Sequence, residues 1–194
     1  MLIERVLYPV TSLGPGERLV IWTSGCSKGC ANCISPEMWQ PRTDKNIPNA
    51  QLLGFVRDVF AKNTVDGITI SGGDPLEQAD ELLEFLVELN KIGEKVSDIL
   101  IYTGYTLSEL QQILTAEQLE ILQKNVAVLI DGKYVDELND SQSPLIGSTN
   151  QQIHYFNAVV RPKYEIYRQN GRQIQNFYYG DNLLSVGIHS KKEE

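Results

Sequence analysis

Histidine, cysteine and long apolar runs are all scarce in this chain of 194 residues. The two histidines, His154 and His189, are too few and too poorly placed to establish a metal site. The three cysteines are an odd set that cannot make a disulfide framework, and thiols so clustered would oxidise outside a reducing compartment. With no fourth cysteine there is no second all-cysteine cluster, so any further electron carrier has to be another protein. No stretch approaches the roughly 20 apolar residues needed to span a bilayer. The start, Met1-Leu2-Ile3-Glu4-Arg5, lacks the basic end and long apolar centre of a secretion signal. No membrane association and a cytoplasmic location are therefore expected. Positive charge is in deficit too: 17 basic against 25 acidic residues give a formal charge of −8, which argues against general affinity for nucleic-acid phosphates.

What is present is the composition of a folded protein, 42% hydrophobic and 22% charged, long enough for one domain with a substantial core or one domain with a small appendage. All three cysteines fall in Gly25-Cys26-Ser27-Lys28-Gly29-Cys30-Ala31-Asn32-Cys33, directly after an apolar run, Leu19 to Trp22, that reads as a strand. Soft thiolates suit iron–sulfur clusters, zinc and copper(I), and three on one short loop can face a single metal centre. Three ligands leave one position open, for a small molecule on a four-iron cluster or for water or a distant histidine on zinc. Buried inert thiols are the plain alternative. Gly25, Ser27, Lys28, Gly29 and Asn32 make a poor apolar core segment and a good ligand loop.

Along the chain, Glu4 to Val10 and Arg18 to Thr23 read as strands joined through Gly14-Pro15-Gly16, which is either a simple hairpin turn or an element folded over the cysteine loop. Ile34 to Asn46 is a Pro-broken loop, and Ala50 to Phe60 has the spacing of an amphipathic helix. Gly67 to Ser71 is a buried strand ending in Gly72-Gly73-Asp74-Pro75. Those glycines permit close backbone approach, and the turn suits a nest for a carboxylate or an amine-bearing ligand, or serves only as a connector. A helix over Glu77 to Asn90, closed near Gly93, precedes a strand over Asp98 to Tyr102 and the loop Thr103-Gly104-Tyr105. Helical segments over Leu107 to Leu114 and Glu117 to Lys124 lead to a strand over Val126 to Ile130 and then Asp131-Gly132-Lys133. Repeated βα units predict a parallel sheet whose ligands collect at the C-terminal strand ends, where the cysteine loop and these three loops all lie.

Beyond Val135 the character changes. Gly147-Ser148-Thr149-Asn150-Gln151 can hydrogen-bond a ligand or its own backbone. Strands are expected over Ile153 to Val160, Lys163 to Arg168, Gln173 to Tyr179 and Leu183 to Ile188, with Asn170-Gly171 as a tight hairpin turn and a disordered Lys-Lys-Glu-Glu end. Five tyrosines, at 155, 164, 167, 178 and 179, alternate with basic residues and fit edge-strand packing better than a base-stacking surface.

The spacing of Cys26, Cys30 and Cys33, with Gly72-Gly73-Asp74-Pro75 downstream, resembles the radical S-adenosylmethionine superfamily. Within it the chain is similar to the activating proteins of anaerobic ribonucleotide reductases, over residues 8–157 and through Gly14-Pro15-Gly16, Ser71 to Pro75, Tyr102 to Tyr105, Val128 to Tyr134 and Gly147 to Ile153. Asn32 departs from the glycine or aromatic residue common before the third cysteine. The resemblance implies an α/β fold, an incomplete open (β/α) barrel over residues 1–157, with a β-rich C-terminal extension at 158–194. It implies that Cys26, Cys30 and Cys33 ligate a [4Fe–4S] cluster and that Gly72, Gly73, Asp74 and Pro75 bind S-adenosyl-L-methionine. Tyr102, Thr103 and Tyr105 are weaker candidates for lining the cofactor cavity, and Asp131, Lys133, Ser148, Asn150 and Gln151 for touching substrate. The implied activity is reductive cleavage to a 5′-deoxyadenosyl radical that abstracts hydrogen from a protein substrate, such as a glycine of an anaerobic ribonucleotide reductase. The electron would come from an external donor such as flavodoxin or ferredoxin. Action on another peptide, protein or small molecule, and a non-enzymatic iron–sulfur or zinc scaffold or sensor, are the alternatives.

Overall fold

In the sequence, Leu19, Ile21, Ile68, Ile70, Ile99, Ile101 and Leu129 alternate with Val20, Trp22, Leu100, Val128 and Ile130, so two apolar faces have to be covered. The computed structural model, which describes residues 1–91 and 98–191, covers both. Six strands form one sheet in sequence order: β1 (Ile3–Val10), β2 (Arg18–Thr23), β3 (Gly67–Gly72), β4 (Ile99–Tyr102), β5 (Val128–Asp131) and β6 (Gln152–Tyr155). Strands β2 to β5 run parallel, and β1 and β6 close the two edges antiparallel. The sheet is therefore open and mixed, as an incomplete barrel requires.

Four helices lie on one face: α1 (Asn49–Lys62), α2 (Ala79–Lys91), α3 (Leu107–Ile113) and α4 (Ala116–Asn125). Their buried residues Leu52, Val56, Leu82, Leu86, Leu110 and Leu122 pack with Leu19, Ile21, Ile68, Ile70 and Leu129 in one core cluster. Thr106 and Thr115 start α3 and α4 as reciprocal capping boxes with Glu109 and Gln118, which fixes where each helix begins. Among the described residues no helix is long and apolar enough to cross a membrane.

The concave face is covered by the last part of the chain, which differs from the expected run of strands. Residues Lys163 to Arg168 belong to a helix, α5 (Arg161–Arg168), preceded by a 3-10 turn over Ala158–Val160 whose Val159 N–H donates to the Asn157 side chain. Pro162 stands in the first turn, where its missing N–H costs nothing. Tyr164 and Tyr167, three apart, fall on one helical face and pack with Leu100, Val128 and Ile130. They are core residues of a helix, which corrects the edge-strand reading, and Asn170-Gly171 ends that helix instead of turning a hairpin. The hairpin is β7 (Ile174–Tyr179) with β8 (Asn182–Gly187), turned at Gly180 with φ +56°. Its Phe177, Leu184 and Val186 pack against Val20 and Trp22. The expected cap at Gly93 and the end of the chain from Lys192 onward lie outside the described residues.

At the N-terminal ends of the parallel strands a buried ion pair fastens these layers. Arg18, with no exposed surface, donates to Asp98 Oδ2 at 2.9 Å, to Thr69 Oγ1 at 2.6 Å and to the Ile68 carbonyl at 2.8 Å. The Tyr164 hydroxyl donates to Asp98 Oδ1 at 2.6 Å and Lys163 Nζ lies 2.6 Å from Oδ2, so α5 is fixed through the same carboxylate. Gly14-Pro15-Gly16 belongs here too, the Pro15 carbonyl accepting from Arg18 at 3.3 Å. It therefore lies at the far end of β2 from the cysteine loop, which decides for the simple turn between β1 and β2 over an element folded on that loop. Burial works to raise the Asp98 carboxyl, but Arg18, Lys163 and Tyr164 together hold it below its ordinary value of 3.8.

Two outcomes are expected. Tyr164→Phe should cost about 1–3 kcal/mol, read as a lower urea midpoint, because it takes a donor from a buried carboxylate. Because the folded pKa of Asp98 lies below the unfolded one, its stabilisation is full above the unfolded value and fades as pH falls through the folded value. Denaturation between pH 5 and 2 should thus show a loss that is smaller in Asp98→Asn, once its lower starting stability is subtracted.

Candidate metal centre

At the opposite ends of β2 to β5 a cavity of about 910 Å³ is lined by Cys26, Cys30 and Cys33, by Gly72, Gly73 and Asp74, by Tyr102 and Thr103, and by Gln151. Nine residues expected from sequence thus meet in one place although they come from four separate loops. The volume sits near the top of the range for small-molecule sites.

The loop is placed from beneath. Gly25 N–H donates to the Met38 carbonyl and Cys26 N–H to that of Trp39, at 2.8 and 2.9 Å, so the Pro-broken segment after the cysteines braces their approach. Gly73 N–H donates to Thr23 O and Asp74 N–H to Gly25 O, both at 2.8 Å. A Cβ on Gly72 would strike Thr23 and one on Gly73 would strike the Gly25 carbonyl, so glycine is required for close packing of one strand end beneath the other. The amides of the supposed nest are consequently committed to the protein.

Asp74 is 1% exposed, and its carboxylate accepts from Leu76 N–H at 3.1 Å, Thr103 Oγ1 at 2.9 Å and Gly104 N–H at 2.9 Å. Burial pushes its pKa up to about 6, against the pull of these donors and of Lys28, so it is ionised at neutral pH and all three donors point at charge. Pro75 is buried at the start of the following 3-10 turn. Tyr105 meets the loop from the side: Lys28 Nζ lies 2.9 Å from its ring centroid, and its hydroxyl donates to Glu77 Oε1 at 3.2 Å. Glu77 Oε1 also accepts from the Ser27 hydroxyl and, at 3.2 Å, from the Ser27 N–H. Burial works to raise Glu77, but these donors and Lys28 hold it below its ordinary value.

The three cysteines are free and half-buried. Burial raises the Cys26 and Cys30 thiols, while the N–H groups of Lys28 and Tyr134 act the other way. Among the described residues, no three His, Cys, Asp or Glu side chains are gathered closely enough for a single metal ion. Three soft thiols lining one cavity can hold three corners of a cubane, so the donor set fits a four-iron cluster with one open iron.

The substrate candidates divide. Gln151 lines the cavity, yet its side chain bonds Gly132 O at 2.8 Å and the Gly147 N–H at 2.7 Å. Ser148 Oγ accepts from Val135 N–H at 3.1 Å, and Asn150 Nδ2 donates to Lys133 O at 2.8 Å, so this cluster mainly shapes its own loop. Asp131 is buried and accepts from Leu107 N–H at 2.7 Å, with His154 Nε2 at 2.9 Å. Lys133 is exposed and close enough for its charge to favour the Cys30 thiolate. Residues not anticipated are Tyr134, Asp136, Asn139 and the tail Gly187 to Lys191, all on the cavity wall. Asn32, with φ +55°, donates from Nδ2 to Asp136 Oδ2 at 3.0 Å, which ties the cysteine loop to that wall. The one hint of this in sequence is Asn32 itself, a residue tolerant of left-handed backbone.

Comparison with known proteins agrees with this geometry. Residues 12–154 match the family model described as a 4Fe-4S single cluster domain. The anaerobic ribonucleoside-triphosphate reductase-activating protein of Escherichia coli (strain K12) is 33% identical over 154 residues, which cover 76% of this chain and 95% of that protein. The proteins of that name from Haemophilus influenzae and Enterobacteria phage T4 are 32% and 34% identical, covering 77% and 76% of this chain and 95% and 90% of theirs.

Gly73→Ala should displace the cysteine loop at a cost of about 1–3 kcal/mol, since backbone has to move. Iron and sulfide analysis after anaerobic reconstitution should show a substoichiometric cluster in a protein that still folds by circular dichroism.

Proposed function

The chain belongs to the 4Fe-4S single-cluster family of the radical S-adenosylmethionine superfamily, and from that premise we propose that it is a glycyl-radical activating enzyme for an anaerobic ribonucleotide reductase. The observation that carries the cofactor part of this reading is the convergence of Cys26, Cys30 and Cys33 with Gly72, Gly73, Asp74, Tyr102 and Thr103 on one cavity. The substrate part is supported by the relatives' activity as reductase-activating proteins over most of their length.

Cys26, Cys30 and Cys33 would hold the cluster and leave one iron for the amino and carboxylate groups of S-adenosyl-L-methionine. Such a cluster, reduced by an external donor such as flavodoxin or ferredoxin, would supply the electron for cleavage of this cofactor to methionine and a 5′-deoxyadenosyl radical. The protein's own task is binding, orientation and exclusion of water. Asp74 serves as a positioning residue, since its oxygens are engaged by Leu76, Thr103 and Gly104. Tyr102 borders the cavity while it packs against Leu100, Val128 and Ile130, so it helps to fix the end of β4 beside the cofactor site. No side chain is needed as general base, because hydrogen is removed as an atom.

The decisive test is anaerobic turnover with S-adenosyl-L-methionine, a chemical reductant and an anaerobic ribonucleotide reductase. Formation of 5′-deoxyadenosine together with a glycyl-radical doublet in electron paramagnetic resonance is expected. Cleavage without the doublet would move the substrate to another peptide, protein or small molecule, and no cleavage by cluster-loaded protein would leave only a scaffold or sensor. Cys26→Ala, Cys30→Ala and Cys33→Ala should each abolish cleavage.

A further inference from the structure

We propose that the C-terminal extension is a working wall of the reaction cavity, that Arg172 is the residue positioning it, and that it selects the polypeptide segment reaching the cysteine loop. This rests on the protein-substrate reading above. The extension lies beyond the residues matched by the family model, 12–154, yet Gly187, Ile188, His189, Ser190 and Lys191 line the same cavity as the three cysteines.

The tail is held there by a built device. The Arg172 side chain is 5% exposed, and its guanidinium donates to the carbonyls of His189 at 2.6 Å, Ser143 at 3.1 Å, Ile146 at 3.2 Å and Gly147 at 3.3 Å. It also donates to Asn139 Oδ1 at 2.9 Å and Asp140 Oδ1 at 3.3 Å. A planar fork with five N–H donors is the one side chain that can gather so many acceptors from two segments. Residues 139–147 and the tail are thereby joined into a single wall. Lys191 N–H adds a bond to Ser141 Oγ at 2.9 Å, and the Ser12 hydroxyl fixes the start of the tail by donating to Val186 O at 2.8 Å.

This wall reaches the ligand loop. Asp136 accepts from Asn32 Nδ2 at 3.0 Å and from the Tyr134 hydroxyl at 2.6 Å, with Lys191 Nζ 3.7 Å away. The cavity is bounded on one side by the cysteine loop, with Ile34 62% exposed, and on another by the tail, with His189 and Lys191 on it. A slot bounded by an apolar side chain and two basic ones fits an extended peptide segment with a nearby carboxylate.

The test uses full-length, cluster-loaded wild type, Arg172→Met, and the double variant His189→Ala with Lys191→Ala, which keeps the His189 carbonyl that Arg172 binds. Iron content and thermal melting control for folding. KM and kcat are read from glycyl-radical formation on an anaerobic ribonucleotide reductase. Both variants should raise KM about tenfold with kcat within about twofold, the scale of losing one or two charge-assisted contacts. Amide hydrogen exchange over 187–191 should slow in wild type on adding the reductase and speed up in Arg172→Met. Unchanged KM in the double variant, with exchange over 187–191 indifferent to the reductase, would overturn the proposal. If Arg172→Met does not fold, the double variant decides alone. If wild type cleaves the cofactor but makes no radical on the reductase, the reductase reading falls separately. The wall is then judged on exchange over 187–191 when S-adenosyl-L-methionine is added: slowing supports it and no change overturns it.

Discussion

The mouth of the cavity is organised by one buried charge, the Asp74 carboxylate. Removing an ion from water costs several kcal/mol unless donors replace the water, and here the donors come from its own turn and from the end of β4. Its backbone N–H meanwhile holds Gly25, at the entrance to the cysteine loop. The charge is therefore satisfied only when three strand ends stand in one arrangement. Gly72 and Gly73 make that arrangement sterically possible, since any side chain there would separate β3 from β2. The cysteine loop is half-exposed, and its order is borrowed from this support and from Glu77, which takes the Ser27 N–H and hydroxyl and is itself held by Tyr105.

A second charge pair governs the opposite end of the same strands. Arg18 and Asp98 are both fully buried, and a pair of this kind adds little stability beyond well-packed apolar residues while costing much when broken. Its value here is geometric. Asp98 takes the Tyr164 hydroxyl and Lys163 as well, so α5 docks in one register on Leu100, Val128 and Ile130. One pole of the sheet is thus closed by ions and the other is left open as a cavity, which separates the stabilising chemistry from the reactive chemistry.

The core of this plan was legible in sequence because its signals are local. Three cysteines at fixed spacing, Gly72-Gly73-Asp74-Pro75, and apolar runs of strand length each need only a few consecutive residues to be recognised. The βα order then implied that these loops share an edge, which they do. The extension was misread because Tyr164, Ile166 and Tyr167 favour strands intrinsically, while burial of Tyr164 and Tyr167 on one face selects a helix. Asn170-Gly171 carries the same ambiguity, since a left-handed glycine ends helices as readily as it turns hairpins. The bonds from Asn32 to Asp136 and from Arg172 to residues 139–147 were out of reach for another reason. They join positions 104 and about 30 residues apart, and nothing in either partner's neighbourhood announces the other.

The concave face explains why the extension and the cavity belong to one structure. Val20, Trp22, Leu100, Val128 and Ile130 form an apolar surface on the side of the sheet away from α1 to α4, and a surface of that kind has to be removed from water. Residues 12–154, the part matched by the family model, supply the parallel strands β2 to β5 but not the α5 residues and hairpin that lie on this face. Once α5 and the hairpin cover it, the chain leaving β8 emerges beside the strand ends, because β8 lies against β2 and ends at Gly187 on the cavity wall. Covering the sheet thus delivers the tail to the reactive end as a geometric consequence. The same apolar pattern that demands a cover decides which segment stands opposite the cysteines.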